Sequence, residues 1–125
     1  MPVVTAALRV AQALQALDLG HRTVADGEWG LRVELTSWPL DIGFALTAGG
    51  TWLRLQGEVC GPGQADPQSL LHRSRLTPVA KLTTTSAGAV WVEAWLPVAA
   101  VDAGQLDHVL GLMAATTADV RAQLA

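Results

Sequence analysis

AVWVEAWLP, residues 89–97, decides how the rest of the chain is read. As a strand it sends Val90, Val92, Ala94 and Leu96 to one side and Trp91, Glu93 and Trp95 to the other, because successive strand side chains alternate faces. One layer of cover hides only one of these rows. Whichever row the helices shelter, the other is left facing outward.

The flanking segments say which row is sheltered. From Val3 to Leu17 the residues Val3, Ala7, Val10, Leu14 and Leu17 recur at steps of four and three, the spacing of one helical face, and Gly20 is the expected end of that helix. At the other end, Asp102 and Gln105 have capping-box spacing. They open a helix whose Leu106, Leu110, Met113, Thr117, Val120 and Leu124 repeat in the same way. Two amphipathic helices need a sheet to cover, and the sheet needs them. The aliphatic row then belongs to the core and the indoles lie outside.

Between the helices, the polar stretch HRTVADGEWG (residues 21–30) reads as punctuation. LRVELTS alternates Leu31, Val33 and Leu35 with Arg32, Glu34 and Thr36 as a half-buried strand, and Trp38-Pro39 breaks it. LDIGFALTA alternates Leu40, Ile42, Phe44 and Leu46 against Asp41, Gly43, Ala45 and Thr47. Gly49-Gly50 then supplies the positive φ of a tight turn. TWLRLQGEV sets Leu53, Leu55 and Val59 against Trp52, Arg54, Gln56 and Glu58 and completes a three-strand meander. GPGQADP is a loop, and Asp66-Pro67 opens a short helix through Gln68 to about Arg75, stopped by Pro78. VAKLTTT pairs with AVWVEAWLP across Ser86-Ala87-Gly88. The expected fold is α+β, one domain over residues 1–125 in the order α-β-β-β-α-β-β-α, with an antiparallel sheet and helices packed on one face.

The chain has 125 residues, half of them hydrophobic, 15% charged, and a net charge of -3. That length suits one core burying roughly two thirds of the unfolded surface. The acidic balance argues against nonspecific binding to a phosphate backbone. A lone Cys60 excludes an internal disulfide and fits a reducing cytoplasm. MPVVTAALRV lacks the features of a signal peptide, and no run of about 18 apolar residues occurs, so a cytoplasmic protein is expected.

No residue pattern announces a reaction. Cys60 in EVCGPG has no local base or positive charge to ionise it and reads as a small, sheltered strand-end residue. His21, His72 and His108 have no second ligand three or four residues away, so no metal site is expected. Asp26 and Glu28 straddle Gly27 in what is first of all a turn. HRSR (residues 72–75) is either a solvated helix face or a receiver of an acidic partner segment. GGTW and GPGQ lack the context of a phosphate-binding loop, and no cofactor is expected.

Three tryptophans on a polar sheet face are the outstanding feature. Trp52, Trp91 and Trp95, with Arg54 and Glu93 among them, form either a docking surface, for a partner or a second copy, or a face covered from within. Trp29 and Trp38, at the ends of the first strand, are expected in the core or at its rim. Leu70 and Leu71 on the short helix are a second candidate contact, and an exposed strand edge a third.

TWLRLQGEV ahead of a proline-bounded helix at DPQSLLHRSR, then VAKLTTTSAGAVWVEAWLP and the Asp-capped VDAGQLDHVLGLM, make a succession that resembles the YbjN-like proteins and the type III secretion chaperones over nearly the full chain. The resemblance implies a non-enzymatic protein that forms homodimers and binds other proteins. Secretion chaperones hold an extended client segment, and YbjN-like proteins are tied to stress responses and regulation. The alternative is a small-ligand-binding domain with an apolar pocket between helices and sheet. Nucleic-acid binding through indole stacking with Arg32 and Arg54 is a third reading, which the acidic balance disfavours.

Overall fold

The computed structural model describes residues 2–124. Helix α1 (Val3–Leu17) leads into strands β1 (Arg22–Ala25), β2 (Glu28–Val33), β3 (Leu40–Leu46) and β4 (Trp52–Cys60). Helix α2 (Pro67–Leu76), strands β5 (Lys81–Thr84) and β6 (Val90–Pro97) and helix α3 (Ala103–Ala122) follow. The six strands form one antiparallel sheet in the order β1-β2-β3-β4-β6-β5. This is the expected α+β class, with one strand more than the sequence reading supplied.

The extra strand is β1, inside the segment read as punctuation. All four of its residues are exposed, so it carries no period-two signal. Its hairpin with β2 turns at Asp26-Gly27, with Gly27 at φ 70°. Asp-Gly between two short runs is the hairpin signal that marks it. The neighbouring strand consequently starts at Glu28 instead of Leu31 and ends at Val33, so Leu35 lies in the following loop. Trp29 enters the core beside Leu31. Trp38, by contrast, stays at the rim, exposed and stacked under Arg121.

Helices α1 and α3 cover one face of the sheet. Val90, Val92, Ala94 and Leu96 are buried there with Leu53, Leu55, Ile42 and Phe44, against Val10 and Leu14 of α1 and Leu106 and Met113 of α3. Helix α1 has the expected bounds, but its buried edge is Ala6, Val10, Ala13 and Leu14, and Val3 is exposed. Asp18 in the left-handed conformation ends it, its N–H donating to the Leu14 carbonyl, two residues before Gly20. At the later helices the caps stand where the residue types place them. The Asp66 carboxylate accepts from the Ser69 N–H at 3.0 Å and the Asp102 carboxylate from the Gln105 N–H at 2.7 Å. A bulge between Glu58 and Cys60 turns both Val59 and Cys60 inward.

One core position is polar without recompense. Thr117 on α3 is fully buried, and its Oγ1 has no hydrogen-bond partner among the described residues. A desolvated, unbonded hydroxyl destabilises, whereas valine has nearly its shape. Thr117→Val is expected to stabilise by about 1 kcal/mol and to raise Tm by about 4 °C. A lower Tm in a calorimetric scan would mean that the hydroxyl is bonded in solution.

Candidate protein-docking surface

The face of the sheet away from α1 and α3 is built by the alternate residues of every strand. Trp52 and Trp95 stand on it 43% and 47% exposed. Pairing of Arg54 with Trp95 and of Trp52 with Pro97 makes the two indoles diagonal neighbours, close enough to form one apolar patch. Arg54 lies over the Trp95 ring, 5.7 Å from its centroid. Trp91 is different: it is half-buried between Glu58 and Thr83, and its Nε1 is enclosed without a partner among the described residues. Glu93, half-buried, separates Trp91 from Trp95. The structure therefore brings Trp52, Arg54 and Trp95 together and leaves Trp91 as part of the sheet's own packing.

The two leucines of α2 part company. Leu70 is buried against the core, so it offers a partner no surface. Helical geometry turns the adjacent Leu71 out, 72% exposed, and Leu76 at the end of the helix is equally bare. Helix α2 also closes one edge of the sheet. The Leu82 N–H of β5 donates to Ser74 Oγ at 3.0 Å, and Lys81 Nζ donates to the Ser74 and Thr77 carbonyls at 3.0 and 2.6 Å. The opposite edge, β1, is paired on one side only and is the edge left for strand addition.

Toward β1 the outer face becomes charged. Arg32 and Asp41 form an exposed bidentate pair at 2.8 and 3.2 Å. The Arg32 guanidinium, chiefly through that hydrogen bond, holds the Asp41 carboxyl below the ordinary range, and Asp41 in turn raises Arg32. Next to them Gly30 and Gly43 face each other across β2 and β3. They lie in a depression of about 260 Å³ that Arg22, Glu28, Arg54 and Gln56 also line. The sequence reading named neither the glycines nor Arg22 as site residues, because without β1 their face has no outer wall.

The remaining candidates stand apart from this surface. Cys60 is buried, and desolvation pushes its thiol up, with nearby Arg121 acting against it, which disfavours the thiolate. Among the described residues no group of three His, Cys, Asp or Glu side chains is placed to hold a metal ion. Where an apolar ligand pocket was the alternative, the space between helices and sheet is filled by Val10, Leu14, Phe44, Leu55, Leu106 and Met113. No described helix is long and apolar enough to cross a membrane.

No protein-family model matches the chain, and no curated protein matches it by sequence. Solved structures do. A chain of the crystal structure of the Yersinia pestis type III secretion chaperone SycH with a stable fragment of YscM2 superposes with TM-score 0.70 at 14% identity, covering 92% of this chain and 98% of that one. The HopA1–SchA chaperone–effector complex gives TM-score 0.70 at 14% identity over 96% and 94% of the two chains. The chain has the type III secretion chaperone fold. The ExoT–SpcS complex from Pseudomonas aeruginosa agrees, with TM-score 0.63 at 21% identity over 97% of this chain and all of the other. Relative to the α-β-β-β-α-β-β-α order expected from the sequence, the structure adds β1, which carries Arg22 to the rim of the outer face.

Proposed function

We propose that this protein is a non-enzymatic, chaperone- or adaptor-like module that holds a partner protein, acting in the cytoplasm as a homodimer. The observation that carries this reading is the contiguous pair Trp52 and Trp95, bare on a sheet face whose other side is a complete core. Large indoles left in water on a rigid strand framework are the anchors of protein interfaces. The shared fold supports it, since the matching structures are described as a chaperone–effector complex and as a chaperone with a fragment of another protein. The dimer contact is assigned to α2, where Leu71 and Leu76 are the most exposed leucines of the described chain. A regulatory or stress-response setting, as in the YbjN-like proteins, is the corresponding biological context.

Light scattering on the purified protein and mass spectrometry of what co-purifies from its host test this directly. The expected result is twice the chain mass and one enriched protein partner. A monomer with no partner defeats the proposal.

A further inference from the structure

Gly43 has no reason within its own fold to be glycine. It sits in the middle of β3 with extended backbone, and a Cβ built on it would meet nothing nearer than the Gln56 carbonyl oxygen at 4.0 Å. Glycine inside a strand weakens it, and where internal packing does not demand it, the close approach of another molecule is the usual cause. Its cross-strand partner Gly30 is accounted for differently. A Cβ there would fall 2.8 Å from the Arg22 guanidinium carbon, so the missing side chain lets that guanidinium lie flat on the β2 backbone.

The result is a patch of bare backbone at Gly43, with the Arg22 guanidinium on one side and Arg54 at the diagonal position on the other. Among the described residues neither arginine makes a salt bridge or a side-chain hydrogen bond. The Asp41 carboxylate nearby is already taken by Arg32. Glu28 is then the one carboxylate lining the depression that is not engaged by an arginine, against two guanidiniums without a carboxylate partner, that of Arg54 lying over the Trp95 ring.

We infer that this depression receives an aromatic side chain of an extended, acidic partner segment. The ring lies on Gly43 between the two guanidiniums, and carboxylates two residues to either side of it, on the same face of the extended segment, pair with Arg22 and Arg54. An aromatic ring over a strand glycine replaces the packing that the glycine lacks. Guanidiniums at its faces and edges attract the ring and bind carboxylates bidentately. The inference rests on the partner-binding reading above, extending the Trp52–Trp95 patch along β4 and β3 toward β1.

The test uses the full chain and the blocked peptide Ala-Glu-Ala-Phe-Ala-Glu-Ala, whose glutamates share the face of the phenylalanine when the peptide is extended, followed by amide and indole chemical shifts in NMR titration. Saturable shifts are expected at the Gly43 and Gly30 amides. They should vanish with a Phe-to-Ala peptide and weaken at least about tenfold when the glutamates are replaced by lysine. Gly43→Val fills the floor while leaving the fold intact, since the added carbons point into open space, and is expected to weaken the peptide by at least about tenfold. Gly111→Ala, on open helix surface, serves as the control that leaves peptide binding unchanged.

Three results overturn the inference: no saturable shift at Gly43, equal binding of the lysine peptide, or unchanged affinity in the Gly43→Val variant. If shifts gather on the Trp52 and Trp95 indoles and pass over Gly43, the depression is excluded while the docking surface stands. Failure of the docking surface itself shows separately, as the absence of any co-purifying partner.

Discussion

Replacing Arg121 by methionine is expected to lower Tm by about 10 °C or more, the largest loss anticipated for a single residue outside the aliphatic core. Arg121 lies on the last turn of α3 and is 5% exposed, yet among the described residues it forms no salt bridge. Its guanidinium instead serves three backbone carbonyls. Nε donates to Val59 at 2.8 Å, Nη2 to Glu58 at 3.2 Å, and Nη1 to Trp38 with a longer contact to Ser37 Oγ. The ring of Trp38 lies 3.9 Å from the guanidinium carbon. These acceptors are the orphans of the bulge that ends β4 and of the loop that joins β2 to β3. One planar cation therefore ties the C-terminal helix to two irregular stretches of chain.

Burial without an acid lowers the Arg121 pKa, but a guanidinium stays charged through the accessible range, so no pH dependence is expected from it. Methionine fills much of the same volume, so the loss reports the hydrogen bonds and the stack on Trp38 rather than a cavity. Leaving such acceptors unpaired costs roughly 2–4 kcal/mol in sum, against a total stability of about 5–15 kcal/mol. Arg121→Lys should recover less than half of the loss, because an ammonium cannot reach diverging carbonyls in one plane or stack on the indole. A Tm within about 2 °C of the parent for Arg121→Met would show that water serves these carbonyls equally well.

Arg121 also marks where the sequence reading stopped. Periodicity assigned α3 a face of Leu106, Leu110, Met113, Thr117, Val120 and Leu124; the first five are buried, and Leu124 lies half-buried just past the helix end. Nothing in a 3.6-residue period marks a charged side chain that turns inward to serve distant carbonyls. The strands tell the same story. β3, β4 and β6 alternate cleanly because one face meets helices and the other water, and their bounds follow from that alternation. β1 has water or open edge around all four residues, so only its Asp-Gly turn betrays it. Of the candidate surface, Trp52 and Trp95 were visible as outward positions. Their contiguity depends on register between β4 and β6, which pairing alone reveals. Glycines 30 and 43 were visible as residues but meaningless until the same register set them opposite each other.

The double substitution Trp52→Thr with Trp95→Thr is expected to weaken the partner complex about a hundredfold or more, while Tm moves by no more than about 4 °C. Threonine retains the β-branched preference for a strand, so the backbone has no reason to leave the sheet. Both rings project more than two fifths of their surface into solvent, and their removal uncovers little of the core. What they take with them is the Arg54 contact over Trp95, which at a surface is worth about 0.5–1 kcal/mol. Anchors of an interface behave oppositely, since each fully desolvated indole accounts for about 2 kcal/mol or more of binding. Trp91→Thr provides the contrast. With Nε1 enclosed and the ring half-buried between Glu58 and Thr83, its loss should lower Tm markedly. Calorimetry measures the stability arm, and titration of the co-purified partner measures the binding arm. If the double variant melts far below the parent, or binds its partner with unchanged affinity, the outer indoles are packing and the docking surface lies elsewhere.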